Sequence, residues 1–414
     1  MPTIKITENK PITTSEDWDE SYRNDLQTVK FTGLSVDYMQ IPDYLGIDNK
    51  LCTSYFIGTC WLTPSLSIAV LPKIENIDYI KMFLTALETE SEADYFAKCY
   101  RIDFDKPAIK TPNNLNILSP LLVLHYLALL EKLVKRGLKR GYIVKEENLK
   151  SKIKGKIIWA NHLQQNVFQK REDRIFCRYQ EYTIDIPENR LLKKALLFCE
   201  KMLDNYASIK KQDNYTEIKR RFNKLKQHFV NINDDIEVSQ IQKISANKLF
   251  INYKSAIIVA KMILRRFDYS LQNTSKTEDS APPFCIDMAR LFELYVLNLL
   301  GGKSDNICFQ FSGYSGDTDF LKIDEQIIID SKYKLDYGYD SNDIRQLSGY
   351  ARDTQIIKKL KVVDDREIKC LIIYPNKMGF TTLPNFLIQS SKPIHQFRNF
   401  YKISVKLPTT KNAD

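Results

Sequence analysis

Glycine is scarce in this chain, 13 in 414 residues, which argues against a glycine-rich repeat and for long regular elements. No two of the eight cysteines have CxxC spacing; they are scattered at 52, 60, 99, 177, 199, 285, 308 and 370. Neither a zinc ribbon nor a disulfide framework fits that pattern, and reduced thiols in a cytoplasmic protein are the simpler account. The opening MPTIKITENKPITTSEDWDE lacks the apolar core of a signal peptide. Long hydrophobic runs are missing too. The longest, residues 121–130 with His125 inside it, is about half the ~20 residues a membrane span requires. No membrane association is expected.

A chain of this length suggests two or three domains. Hydrophobic residues at 43% and charged residues at 27% are ordinary for a globular protein. The net charge of +10 is unevenly placed: residues 132–156 carry ten Lys or Arg against Glu146 and Glu147, a local +8. Such a segment suits a polyanion, because basic side chains on phosphates release counterions. A solvated basic helix face and loop is the competing account.

Residues 1–115 read as β-rich. Short apolar segments (54–58, 59–62, 66–71) are bounded by Gly58, Pro64 and Pro72, as in small antiparallel strands. One helix is expected at 79–89, where Ile80, Phe83, Leu84 and Leu87 recur at helical spacing. With no chemistry of its own, this part reads as a docking domain. Residues 116–280 read as mostly helical. Ser119 and Pro120 start an amphipathic helix that Gly137 stops, and further helices are expected at 191–206, 215–229 and 255–266. Asp185 to Arg190 (DIPENR) has the residues of a capped junction. A polar, proline-terminated stretch at 270–283 marks a boundary. The last part, 281–414, opens with a helix at 286–300 carrying Glu293, followed by a strand at 307–311. The whole is an α+β multidomain chain.

Within the last part lies GYSGDTDFLKIDEQIIIDSKYKLDYGYDSNDIRQLSGY, residues 313–350. Asp319 follows a small-residue turn, and Ile327 to Ile329 form an apolar strand that ends in Asp330, Ser331 and Lys332. Asp330 and Lys332, two apart, share one face of a strand while Ser331 points the other way, its carbonyl beside them. Magnesium takes one or two carboxylates and completes an octahedron with water and phosphate, so Asp319 and Asp330 make a candidate Mg2+ site. Lys332 has three possible roles: orienting water, deprotonating it, or offsetting charge on a phosphate in transfer. Asp317 is the rival to Asp319, although Phe320 and Leu321 after the acid favour Asp319. Gln346 and Tyr350, at i and i+4, share a helical face. Glu293 by itself reads as an ordinary exposed helix residue. Arg345 and Arg352 are either phosphate contacts or solvated.

An acid, an apolar run, Asp-x-Lys and a following QxxxY helix resemble the PD-(D/E)XK nucleases; Thr318 departs from the usual proline before the acid. The four histidines are far apart and away from these acids, which leaves no HNH or zinc-type nuclease. Upstream, Gly137-Leu138 with Tyr142, the KIKGKI segment 152–157, DIPENR at 185–190 and Leu71-Pro72-Lys73 together resemble the McrC family over most of the chain from about residue 55. That resemblance implies a Mg2+-dependent DNA endonuclease subunit of a McrBC-like or LlaJI-like restriction system, partnered by a hexameric AAA+ GTPase. The partner would read the modified base, and this subunit would stimulate its GTPase and cut double-stranded DNA. Similarity to nucleases of the RecB type implies DNA contacts by Gln346 and Tyr350 and a place for Glu293 at the metal. A regulatory activator that does not cleave and a free-standing RecB-type repair nuclease remain alternatives. Gly301 to Ser304 (GGKS) imitates the end of a phosphate loop, but the earlier glycine is replaced by Leu297 and a helix precedes the lysine, so no nucleotide hydrolysis is expected of the chain alone.

Overall fold

The computed structural model describes residues 2–33, 42–74, 77–87, 95, 98–103, 106–107, 109–110, 118–205, 215–237, 251–272, 280–281, 283–302, 304–362 and 368–409. Much of the boundary expected at 270–283 lies outside the described residues, as does Lys303 of the GGKS stretch. The fold is mixed α/β, with four sheets among the described residues.

In chain order the strands β1 (Thr3–Thr7), β2 (Phe56–Trp61) and β3 (Ser67–Leu71) precede helix α1 (Tyr79–Leu87), β4 (Tyr100–Ile102) and β5 (Ile109–Lys110). Helix α2 (Leu118–Arg136), strands β6 (Gly141–Lys150), β7 (Lys156–Ile157) and β8 (Arg174–Thr183), and helices α3 (Pro187–Asn205), α4 (Tyr215–His228) and α5 (Ile251–Gln272) follow. The remainder comprises β9 (Ser280–Ala281), β10 (Phe284–Asp287), α6 (Met288–Leu299), β11 (Ile307–Gly313), β12 (Gly316–Lys322), β13 (Ile327–Ser331), α7 (Ser341–Tyr350), α8 (Thr354–Leu360), β14 (Lys369–Phe380), β15 (Lys392–Pro393) and β16 (Phe400–Val405).

Two compact units result: residues 1–125 with 275–414, and residues 126–274. The first unit holds a five-stranded sheet in the order β1-β3-β2-β10-β4 and a six-stranded sheet in the order β11-β12-β13-β14-β16-β15. β1 runs parallel to β3 rather than continuing the antiparallel pattern expected of the N-terminal segments. β10, absent from the sequence reading, is a short strand from the C-terminal third that pairs with β2 on one side and β4 on the other. The helix expected from 286 accordingly starts at Met288, with the Asp287 carboxylate accepting from the Arg290 N–H at 3.0 Å as its N-cap.

Gly58 explains how β10 comes so close. It does not separate two strands but lies inside β2 opposite Cys285, at φ +136°, where an added Cβ would stand 2.1 Å from the Phe284 carbonyl oxygen. Gly58→Ala should therefore cost on the order of 1–3 kcal/mol through strain and overpacking. A denaturation midpoint unchanged from wild type would contradict this close approach.

The six-stranded sheet follows the hydrophobic pattern closely. Ile327, Ile328 and Ile329 are all fully buried, β13 pairs with β12 antiparallel on one side and with β14 parallel on the other, and a strand covered on both faces must be apolar throughout. α7 packs its Ile344, Leu347 and Tyr350 against Leu321, Ile328 and Ile372 of this sheet in one core.

The second unit adds strands to the helices expected of it. Its helices are present, but β6 and β8 pair in register over ten residues, Gly141 with Thr183 through Lys150 with Arg174, and β7 adds to β8. Tyr142, Val144 and Tyr182 stand exposed on this ribbon, so it lacks the buried face that makes alternation legible. The Asp185–Arg190 junction is as expected: Arg190 forks onto both oxygens of Asp185 at 2.8 and 2.7 Å, ahead of α3.

At the end of β1, Glu8 is only 2% exposed. Burial pushes its carboxyl up to about 7 from the ordinary 4.5, against the opposing pull of Lys73 and the hydrogen bonds from Lys73 and Tyr333. A carboxyl that holds its proton more tightly when folded adds stability that is full below about 4.5 and is lost as pH rises through about 7. Glu8→Gln should keep the shape and remove this contribution. The fall in denaturation midpoint between pH 5 and pH 7.5 should shrink in that variant; an undiminished fall would exclude Glu8 as a source.

Candidate functional site

Adjacent strands of the six-stranded sheet bring the acids together. Phe320 of β12 pairs with Ile329 of β13, which places Asp319 beside the end of β13 where Asp330 and Ser331 lie. The Ser331 N–H and hydroxyl both donate to Asp319 Oδ2, each at 2.7 Å. Ser331 thus corrects the alternation argument: its side chain turns to Asp319 instead of away from it. Thr318, in the place of the usual proline, is fully buried and donates its hydroxyl to the Phe311 carbonyl at 3.3 Å. Asp317 is exposed, and its contribution is a backbone carbonyl that accepts from the Tyr350 hydroxyl at 2.7 Å.

Asp330 is 2% exposed. Burial, reinforced by the charge of Asp319, pushes its carboxyl up to about 7 even though Lys332 pulls the other way. Asp319 is likewise raised, by burial first, with Lys332 and Ser331 opposing. Lys332 Nζ stands 2.8 Å from Asp330 Oδ2 and 3.7 Å from Asp343 Oδ1, and donates to Gln346 Oε1 at 3.1 Å. Burial works against its charge, but Asp330 and Asp319 outweigh it and hold the ammonium protonated above its usual range. Gln346 donates in turn to the Tyr350 hydroxyl at 2.9 Å. One chain of contacts therefore runs from Asp330 through Lys332, Gln346 and Tyr350 to the backbone of Asp317. Arg345 and Arg352 are exposed on and just beyond the same helix.

Glu293 is not the exposed helix residue of the alternative account: it is 7% exposed on α6. Burial, then Asp319, raises its pKa well above the ordinary value. It accepts from the Tyr95 hydroxyl at 2.7 Å and from the Gln310 amide. Gln310 adopts φ +52° at the position that its neighbours' register sets opposite Asp319. That left-handed backbone, in a strand that keeps one-to-one register with β12, costs of order 1–3 kcal/mol and accompanies the amide's bond to Glu293.

Sequence reading missed Asp343, Lys334, Gln310 and Tyr95. Asp343 had a signal, since it lies one and two turns before Gln346 and Tyr350 on the same helical face. It is 7% exposed and accepts from Lys334 at 2.8 Å and from the Tyr337 hydroxyl at 3.0 Å. Gln310 and Tyr95 carried none, because each matters only through a partner distant in sequence.

Among the described residues, no group of three His, Cys, Asp or Glu side chains converges to hold a metal ion. Magnesium asks for less, one or two carboxylates with water and phosphate for the rest. Asp319 and Asp330 fit that donor set: both hydrogen bonds to Asp319 land on Oδ2, which leaves Oδ1 for a cation. The mutual repulsion that raises Asp330 is also what a cation would relieve. Glu293 has one oxygen bonded to Tyr95 and the other to Gln310, and the charge of Asp319 acts on it.

The chain matches the family model for the McrBC 5-methylcytosine restriction system component over residues 52–375. Among solved structures it resembles the refined half-complex from a tetradecameric assembly of Thermococcus gammatolerans McrB AAA+ hexamers with bound McrC, at 14% identity and TM-score 0.39, covering 100% of this chain and 96% of that one. It also resembles the cryo-EM structure of the Thermococcus gammatolerans McrBC complex, at 14% identity and TM-score 0.32, covering 72% of this chain and 87% of that one. At these scores neither likeness carries the assignment, which rests on the family match. No curated protein matches the chain. No helix among the described residues is long and apolar enough to cross a membrane.

Proposed function

Since the chain belongs to the McrBC 5-methylcytosine restriction system component family, we propose that it is the Mg2+-dependent DNA endonuclease subunit of such a system. In this reading the C-terminal sheet with α6 and α7 is a PD-(D/E)XK nuclease fold, and a McrB-like AAA+ GTPase hexamer is the partner. The observation that carries the nuclease reading is the pair Asp319 and Asp330 on adjacent strands, with the Lys332 ammonium 2.8 Å from Asp330.

Asp319 and Asp330 would hold magnesium, which when bound supplies charge to offset the scissile phosphate and to activate water. Ser331 fixes the rotamer of Asp319 through two hydrogen bonds. Lys332, kept protonated by the two carboxylates, is suited to stabilise negative charge building on the phosphate rather than to act as a base. Gln346 and Tyr350 set the direction of that ammonium from α7 and border the DNA.

Nothing in this site distinguishes one sequence or modification from another, so target choice is assigned to the partner. The basic segment 132–156 is a contact for either DNA or that partner. The test is a cleavage assay on methylated and unmethylated duplex DNA, with the partner, GTP and Mg2+ each omitted in turn. Cleavage of the methylated duplex that needs all three supports the proposal. Partner-dependent GTP turnover without cleavage would replace it with a regulatory activator, and cleavage without partner or GTP with a free-standing repair nuclease.

A further inference from the structure

Lys73 links the N-terminal sheet to the residue that follows Lys332. Just beyond β3 its backbone N–H donates to Glu8 Oε1 at 2.9 Å. Its side chain runs to Tyr333, where Nζ donates to the carbonyl oxygen at 2.7 Å and lies 4.0 Å from the ring centroid. The Tyr333 hydroxyl closes the circuit by donating to the same Glu8 oxygen at 3.1 Å. Phe292 of α6 borders the ring, its own centroid 6.0 Å away. On the other side, the Lys332 N–H donates to the Ile373 carbonyl of β14 at 2.8 Å, and the Lys334 N–H donates to the Lys332 carbonyl at 2.7 Å. The turn that carries Lys332 is thus gripped by β14 and by the end of β3.

Stability alone does not explain this cluster. Burial opposes the Lys73 charge. Glu8 Oε2 and the Tyr79 hydroxyl are buried with no hydrogen-bond partner among the described residues. An apolar side chain of similar length would fill the slot without desolvating an ammonium. What an ammonium adds is a fixed carbonyl, and a group that must meet a scissile phosphate is sensitive to displacements of an ångström.

We propose that Lys73 is a positioning residue for Lys332: through the Tyr333 carbonyl, and with Glu8 and the Tyr333 hydroxyl holding it in place, it sets where the catalytic ammonium stands. The inference rests on the nuclease reading above. It makes the nuclease site dependent on the ends of β1 and β3, whose contacts with Tyr333 span 325 and 260 residues.

The test uses the full chain with its AAA+ partner and methylated duplex DNA, comparing wild type, Lys73→Met, Lys73→Arg, Tyr333→Phe and the sheet-core control Ile6→Val. Lys73→Met should lower kcat for cleavage roughly 10- to 100-fold, with KM for DNA and GTPase stimulation unchanged. Backbone amides of 332–334 should exchange with solvent at least about tenfold faster while 327–330 stay protected. Lys73→Arg should recover part of kcat, because a guanidinium also donates to a carbonyl. Ile6→Val should lower the melting temperature and leave kcat alone. Wild-type kcat and wild-type exchange in Lys73→Met would overturn the proposal, as would equal kcat losses in Lys73→Met and Ile6→Val. Should Lys73→Met not fold, Tyr333→Phe decides: it keeps the ring and loses only the Glu8 bond, and an unchanged kcat and exchange rate overturn the proposal. A wild-type complex that does not cleave with Mg2+ would end the nuclease reading, while the exchange measurement would still decide the positioning.

Discussion

Replacing Lys332 with alanine is expected to slow DNA cleavage by roughly 10²–10⁴-fold, the range for losing a proton-handling or charge-stabilising group. Stimulation of the partner GTPase should stay at the wild-type level. The size follows from how much converges on one atom: Nζ meets Asp330 at 2.8 Å, Asp343 at 3.7 Å and Gln346 at 3.1 Å. Its removal deletes the cation proposed to meet the phosphate and leaves Asp319, Asp330 and Asp343 without the charge that offsets them. Neighbouring Lys334 is the control, because it pairs with Asp340 and Asp343 at 2.9 and 2.8 Å but is about half exposed. Lys334→Ala should change the cleavage rate by no more than about fivefold, because the Lys334 ammonium itself is half exposed and screened by water. Equal losses in the two variants would point to general disruption of the acidic cluster, and undiminished cleavage in Lys332→Ala would remove this site from the chemistry.

Phe320→Ala should cost about 3–5 kcal/mol of stability, the largest single effect expected in the core. Phe320 is fully buried, lies next to Asp319 on β12, and its ring sits 5.6 Å from that of Phe309. Truncation leaves a cavity in a strand held between two neighbours, where little can move to fill it. Chemical denaturation measures the loss directly. A cost below about 1 kcal/mol would mean that the sheet adjusts around the gap, contrary to a core packed from both faces.

How much the sequence disclosed depended on whether the cause was local. The run Ile327 to Ile329 is readable because a strand buried on both faces cannot be other than apolar, and Gln346 and Tyr350 are readable because helical spacing puts them on one face. The chain's first and last thirds gave no local sign that they share a sheet. β10 is four residues long and pairs with β2 more than 200 residues away, and the one clue, Gly58, has the same letter in a turn as in a close backbone approach. The β6 and β8 ribbon escaped notice because both faces carry charge, with Tyr142 and Val144 exposed among lysines and glutamates, so the usual alternation was blurred. Ser331 shows the limit of alternation itself: beyond the last pair with β12, its hydroxyl and its N–H each donate to Asp319. Glu293 could be weighed but not placed from sequence, since its burial is made by Tyr95 and Gln310.

The paired acids should make cleavage depend on magnesium. Single-turnover cleavage of a methylated duplex by the complex with its AAA+ partner, followed across a magnesium titration for wild type and Asp330→Asn, measures that dependence. Wild type should be inactive without the metal and rise to saturation, whereas Asp330→Asn should stay near the uncatalysed rate at every concentration while GTP turnover responds to it as to wild type. A magnesium curve for Asp330→Asn that overlays the wild-type curve would contradict the site proposed here.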